Sequence, residues 1–337
     1  MARIISTIDY HTGGEPFRIT ASPPDIAGAT VAMRRMTAIG DPEIDGLRRL
    51  LCFEPRGHAD MYGGFIVPPD DEGADFGVLF WHKDGFSTAC GHGTIALGTW
   101  AVESGRVASG AGMNDVVIDV PSGRVIARVE VDGDGRVAGV EFVNVPGFLI
   151  ATDVPVSTSA GVSRADVSYG GAIYAQVEAA SLGVAVEPGQ VDRLIALGRE
   201  IKAQLDEQPV ALHPHDPRQS GIYGTVFWDD LGTDAEGRRH QRNVTVFADG
   251  EVDRSPCGSG TSARLVTLVG RGELVVGGHL VHDSIVGSRF LGTVVGRTPG
   301  SPADLVATTV RGRAFRTGEH EFSVDDRDDQ VPGFVLR

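Results

Sequence analysis

The sequence predicts a mixed α/β fold built from two related halves, and three observations carry that expectation. Residues 90–105, CGHGTIALGTWAVESG, are echoed by residues 257–272, CGSGTSARLVTLVGRG. Both segments open Cys-Gly-x-Gly-Thr, carry Ala six residues after the Cys and Gly fifteen residues after it, and they lie 167 positions apart. Self-similarity at a spacing near half the 337-residue chain points to duplicated units. Short β-like runs recur along the whole length, and helical patterns are few.

Taken in order, residues 41–51 open on Asp41-Pro42, an N-cap followed by proline at the first helical position. Residues 77–81 read as extended. A helix is expected just after Cys90. Residues 116–120 read as a strand, and residues 124–131 and 136–142 alternate apolar and polar residues around Asp-Gly-Asp-Gly, a hairpin signal. Residues 167–177 read as extended. Residues 188–207 place Val191, Leu194, Ile195, Ile201 and Leu205 on one face, the pattern of an amphipathic helix. Residues 221–228, 244–248 and 292–296 read as extended, residues 232–239 (GTDAEGRR) as an exposed loop, and a second helix is expected just after Cys257.

Composition bounds the function. With 41% apolar and 22% charged residues the chain suits a folded globular protein. The formal net charge of −15 argues against a nucleic-acid partner and against an anionic membrane surface. It leaves a small anionic substrate open, because a local site can differ in sign from the whole surface. No run of about 18 apolar residues predicts a membrane span, and the N-terminal stretch turns polar too soon for a signal peptide. The three cysteines, Cys52, Cys90 and Cys257, do not read as a disulfide framework, so a cytoplasmic setting is expected. His11, His58, His82 and His92 are scattered singly, without CxxC or HExxH, so no metal site is expected.

The repeat carries chemistry. A thiol at a helix N-terminus meets unpaired backbone N–H groups and the positive end of the helix dipole, both of which favour thiolate. The glycines after each Cys let the backbone approach a ligand, and N–H groups there suit a carboxylate. Two such halves facing one another would set a thiol on each side of a bound carboxylic acid. One would take the α-proton and the other deliver a proton to the opposite face, inverting the centre. The two thiols would titrate as a pair, the helix termini would stabilise the carbanion through its carboxylate, and no pyridoxal phosphate or other cofactor is needed. Cys52, in RRLLCFEP, reads instead as a small buried apolar residue. His92 is either a buried structural histidine or a substrate contact. Asp253 could pair with Arg254, cap the helix, or receive a substrate ammonium group. Phe247 is either a core strand residue or part of a ring pocket.

The motifs ACGHGT (89–94) and DRSPCGSGTSA (253–263) resemble those of the proline racemase superfamily. The resemblance extends to DYHTGGEPFRI near the start, FEPRGHADMYGG (53–64), SYGGAIYA (168–175), IYGT (222–225) and VFADGEVDRSP (246–256), and so covers nearly the whole chain. The superfamily includes proline racemase, 4-hydroxyproline 2-epimerase and trans-3-hydroxy-L-proline dehydratase. The resemblance implies a fold like that of diaminopimelate epimerase: two pseudo-symmetric domains, each a β-barrel-like sheet around a central helix. The expected divisions are 1–145 with 318–337, carrying Cys90, and 146–317, carrying Cys257, with the active site in the cleft between them. It further implies that Cys90 and Cys257 are the acid/base pair, that the backbone of Gly91, His92, Gly258 and Ser259 holds the carboxylate, and that Asp253 and the His92 side chain contact the ring nitrogen. The substrate class is then a small imino acid, and a homodimer is the family expectation.

Within the superfamily two signals conflict. EPRGHADMYG, SYGGAIYA and VFADGEVDRSP look most like the trans-3-hydroxyproline dehydratases, whose second cysteine is typically threonine, whereas position 257 here is Cys. Ala89 also stands where Met is common before the first Cys. Elimination needs no strong proton donor on the opposite face and inversion does, so two cysteines favour a racemase or epimerase acting at C2 of proline or hydroxyproline. The alternative is a trans-3-hydroxy-L-proline dehydratase giving pyrroline-2-carboxylate. A binding protein that kept the fold and lost catalysis is the third reading, and the intact thiols argue against it.

Overall fold

Strand pairing organises most of this chain, and the helices fill the spaces that the strands leave. The computed structural model describes residues 3–300, 303–325 and 327–336. The chain divides into two compact units, Met1–Val140 with Arg313–Arg337 and Glu141–Gly312. The expected mixed α/β class is the one observed, mostly sheet with few helices.

In the first unit β1 (Arg3–Thr12) and β2 (Glu15–Thr20) form an antiparallel pair. Two helices follow, α1 (Val31–Gly40) and α2 (Pro42–Cys52). The start of α2 is the one the Asp-Pro signal predicts: Asp41 Oδ1 accepts from the N–H of Glu43 and of Ile44, with Pro42 in the first turn. Strand β3 (Gly63–Val67) runs parallel to β2, and β4 (Phe76–His82) pairs antiparallel with β3 and with the short β5 (Gly85–Phe86). Leu47, Leu50 and Leu51 of α2 pack on Phe65, Leu79 and Trp81, and each such buried side chain contributes roughly 1.5–3 kcal/mol. Next comes α3 (Gly91–Glu103), buried from Gly91 to Ala101. Strands β6 (Gly112–Val120) and β7 (Gly123–Val131) form a hairpin, and β6 also runs parallel to β4. The Asp-Gly-Asp-Gly turn is closed by the Gly135 N–H donating to the Asp132 carbonyl, and β8 (Val137–Val143) leads on into the second unit.

There β9 (Phe148–Thr158), β10 (Gly161–Tyr169) and β11 (Ile173–Glu178) form an antiparallel meander. The apolar run 167–177, read as a single extended segment, is therefore two strands, turned at Gly170-Gly171 with Gly171 at φ 95°. The amphipathic helix α4 (Val191–Asp206) buries Leu194, Ile195, Leu197, Ile201 and Leu205. Strand β12 (Ile222–Thr233) runs parallel to β11 and pairs antiparallel with β13 (Arg239–Phe247), so the GTDAEGRR loop is the tip of a long hairpin. Then β14 (Glu251–Asp253) leads into α5 (Gly258–Gly270), whose residues Gly258 to Val269 are all buried. Strands β15 (His279–Ser284), β16 (Arg289–Thr298) and β17 (Leu305–Gly312) complete the unit, with β15 parallel to β13. The chain returns to the first unit as β18 (Ala314–Val324), antiparallel to β1.

The two buried helices occupy comparable places. Helix α3 packs against β1, β2, β6, β7 and β18, and α5 against β9, β10, β11, β16 and β17. A helix surrounded in this way must be apolar or small on every side, which the glycine- and alanine-rich sequences of α3 and α5 provide.

Candidate active site

In the first unit Cys90 is the N-cap of α3, in extended backbone, and its Sγ accepts from the Gly93 N–H at 3.2 Å. Its carbonyl accepts from the Thr94 N–H and hydroxyl, at 3.0 and 2.8 Å, which fixes the first turn. A Cβ on Gly93 would run into the Phe17 ring and lie 2.7 Å from that Sγ, so glycine is what allows the amide to reach the sulfur. Both nitrogens of the buried His92 lie near Cys90 Sγ, Nδ1 at 3.5 Å and Nε2 at 3.7 Å. The imidazole is boxed edge-on by Tyr62 at 5.0 Å and Phe17 at 5.8 Å, and the Thr12 hydroxyl donates to the His92 carbonyl at 2.9 Å. Tyr62 is itself tied to the Ser87 hydroxyl. Cys90, Gly91 and His92 thus converge, and Sγ meets a backbone donor, an imidazole and the positive helix end together.

In the second unit Cys257 stands at the same place before α5, but its backbone is at φ 59°, ψ 105°, and its side chain does not cap the helix. A non-glycine residue in the left-handed region is held there by its surroundings. The brace is a short relay: Asp253 Oδ1 accepts from the Ser255 N–H at 2.8 Å, and Ser255 Oγ accepts from the Cys257 N–H at 3.0 Å. Asp253 therefore anchors the turn that presents the thiol. The thiol donates toward the Tyr174 hydroxyl at 4.0 Å, and Tyr174 and Ser259 share a 2.7 Å hydrogen bond. Burial, followed by the Asp253 charge, pushes the Cys257 thiol well above its ordinary range, against smaller lowering by the Thr245 hydroxyl and the Gly260 N–H. Burial also raises Tyr174 well above the usual phenol value, so both groups stay protonated near neutrality. Gly260 corresponds to Gly93: a Cβ there would sit 2.9 Å from Cys257 Sγ.

Asp253, Cys257, Gly258 and Ser259 are therefore gathered in the second unit, as Cys90, Gly91 and His92 are in the first. Phe247 is buried and stacks on Tyr223, which stands edge-on to Tyr174, so it belongs to the aromatic wall behind Cys257. Cys52 is a buried core thiol donating to the Met61 carbonyl. Tyr62 and Tyr174 are the site neighbours that sequence reasoning missed. Both lie in motifs quoted above, ADMYGG and SYGGAIYA, but only the folded chain brings them to positions 92 and 259. Within either unit, among the described residues, no three His, Cys, Asp or Glu ligand atoms converge. None of the described helices is long and apolar enough to cross a membrane.

Comparison with known proteins fits this geometry. Over 337 residues, the whole chain and 99% of the relative, the sequence is 42% identical to a trans-3-hydroxy-L-proline dehydratase of Bacillus cereus. It is 44% identical over 339 residues, again the whole chain and 99% of the relative, to a 3-hydroxyproline 2-epimerase of Burkholderia multivorans. Among solved structures, a hydroxyproline epimerase from Agrobacterium vitis, crystallised with bound trans-4-hydroxy-L-proline, superposes with a TM-score of 0.91 at 32% identity, covering 99% of this chain and 96% of that one. A phenazine biosynthesis protein of the PhzF family from Bacillus anthracis, 12% identical with a TM-score of 0.58 and covering 96% of this chain and all of that one, shares the fold. The profile of the proline racemase family matches residues 7–335. Paired thiol-bearing helices, relatives alike over their full length and that family match lead to one conclusion: the chain belongs to the proline racemase family.

Proposed function

We propose that the protein removes the C2 proton of trans-3-hydroxy-L-proline and expels the 3-hydroxyl, giving pyrroline-2-carboxylate and water. The observation that carries this reading is the full-length similarity to proteins named trans-3-hydroxy-L-proline dehydratase, at 42% identity in the first case and 43% in another. Ring stereochemistry supports it. In the trans isomer the carboxylate and hydroxyl lie on opposite ring faces, so the C2–H and the C3–OH share a face. One group on that face can accept the α-proton and return it to the departing hydroxyl. Cys90 is assigned that role, because its sulfur receives the Gly93 N–H and faces His92. The Gly91, His92, Gly258 and Ser259 amides take the carboxylate at two helix N-termini. The His92 side chain and Asp253 serve the ring ammonium. The scheme uses no cofactor. Three free, buried thiols suit a reducing cytoplasm.

A second reading, epimerisation at C2 of a hydroxyproline or proline, is favoured by one specific feature: Cys257 is a thiol held protonated by burial and by Asp253. A proton donor on the far face returns the carbanion to the opposite configuration. Proton NMR in deuterated water with L-proline, trans-4-hydroxy-L-proline and trans-3-hydroxy-L-proline separates the readings. Loss of the C3 hydroxymethine signal from the 3-hydroxy substrate is expected for dehydration. Deuterium at C2 with inversion and no elimination assigns epimerisation, and the absence of both reactions refutes the two together.

A further inference from the structure

Tyr174 lies on β11, across the antiparallel ladder from Ser168 and beside Gly224 of β12. Its side chain is fully buried, packed with Val226, Cys257 and Ala263. Tyr223 stands edge-on to its ring at 5.7 Å and is backed by Phe247, stacked at 5.6 Å, so two aromatic rings wall one side of the phenol. A buried tyrosine usually finds one partner for its hydroxyl. This one has two, each from the Cys-Gly-Ser-Gly turn: Ser259 Oγ at 2.7 Å and the Cys257 thiol at 4.0 Å. The thiol donates to the phenol oxygen, and either hydroxyl can donate in the Tyr174–Ser259 bond, so the phenol proton is open to Ser259. The other groups acting on the thiol are Asp253, the Thr245 hydroxyl and the Gly260 N–H.

We infer that Tyr174 is a positioning residue: its hydroxyl fixes the direction of the Cys257 S–H bond and couples that thiol to Ser259. The inference rests on the reading that Cys90 and Cys257, each at the start of a buried helix, serve a reaction at C2 of an imino acid. A phenol that accepts from the thiol favours the S–H form, so its loss frees the sulfur to ionise. The test is Tyr174→Phe, which keeps the ring, read by mass spectrometry of alkylation at Cys257 with Cys90 in the same molecule as reference. The expected result is a Cys257-to-Cys90 alkylation ratio raised about 5-fold, with kcat lowered about 3-fold and KM little changed. A purely structural role would not change one thiol against the other. An unchanged ratio, or a ratio that rises with kcat unaltered, overturns the inference. Should Tyr174→Phe not fold, Ser259→Ala breaks the far end of the same chain and frees the phenol to donate to sulfur. The ratio should again rise, and a constant ratio overturns the inference. Absence of turnover of any proline or hydroxyproline by the unaltered protein would defeat the proposed function, while the alkylation ratio would still decide the role of Tyr174.

Discussion

Cys90 and Cys257 each precede a buried 13-residue helix and share the same five-residue signature, yet the two thiols live differently. At Cys90 the backbone is extended, and the sulfur accepts a helix amide and sits against His92. At Cys257 the backbone is left-handed, burial and the Asp253 carboxylate outweigh the Gly260 N–H and the Thr245 hydroxyl at the sulfur, and the Tyr174 phenol lies beside it. One local sequence therefore yields a sulfur that accepts a helix amide and another that burial and a carboxylate hold in the thiol form. Position two after the Cys marks the difference, being His92 in one unit and Ser259 in the other, each braced by a tyrosine, Tyr62 and Tyr174.

The largest effect should come from exchanging sulfur for oxygen in each unit. Cys90→Ser is expected to reduce both C2 exchange and elimination by about 10³-fold, because the proposed proton acceptor is lost. Cys257→Ser should lower elimination less than about 10-fold, and any inversion by at least about 10²-fold. Steady-state rates on the 3-hydroxy and 4-hydroxy substrates measure this split, and equal losses from the two substitutions would erase the asymmetry described above.

A smaller effect separates the glycines three residues into each signature. At Gly93 a methyl group would meet the rigid Phe17 ring as well as Sγ, whereas at Gly260 its nearest neighbours are Sγ and Cβ of Cys257 itself. Gly93→Ala should cost about 3 kcal/mol and Gly260→Ala about 1 kcal/mol, by denaturant unfolding. The reverse order would mean that the second turn is the less adaptable one.

The smallest effect is on the pH dependence of stability. The folded protein raises the Cys257 thiol above its unfolded value, so the folded state binds the proton more tightly. That contribution is complete below the unfolded thiol's value of about 8.5 and is lost as pH rises beyond it, at up to ~1.4 kcal/mol per pH unit. Unfolding free energies at pH 8 and about 9 should therefore fall less steeply in Cys257→Ala than in the unaltered protein, and parallel slopes would contradict the burial of the thiol.

Much of this asymmetry was out of reach of the sequence. The echo announced both helices, Asp41-Pro42 the start of α2, and the Asp-Gly-Asp-Gly turn its hairpin, because each rests on a local rule. Helix α1 went unread: Val31 and Ala38 are buried but Met33, Met36 and Ile39 are exposed, so its apolar residues do not mark one face. Strand β18 was missed because the charged, largely exposed RTGEHEFSV has little apolar alternation and is held by its pairing with β1. The thiols and their neighbours in sequence were legible. Tyr62 and Tyr174 were not, since nothing local places them beside residues 30 and 85 positions away. The backbone difference between the cysteines was also hidden, because it is imposed by the Asp253–Ser255 relay and not by the shared signature.

The left-handed conformation at Cys257 also limits which replacements are open to descendants of this chain. An unbranched side chain tolerates φ near +59°, whereas a β-branched one crowds its own main chain there. Passing from a thiol to a threonine hydroxyl at this position changes few atoms, but it adds a β-branch where the backbone angle disfavours one. The choice between a sulfur and a threonine here is therefore also a choice of backbone strain.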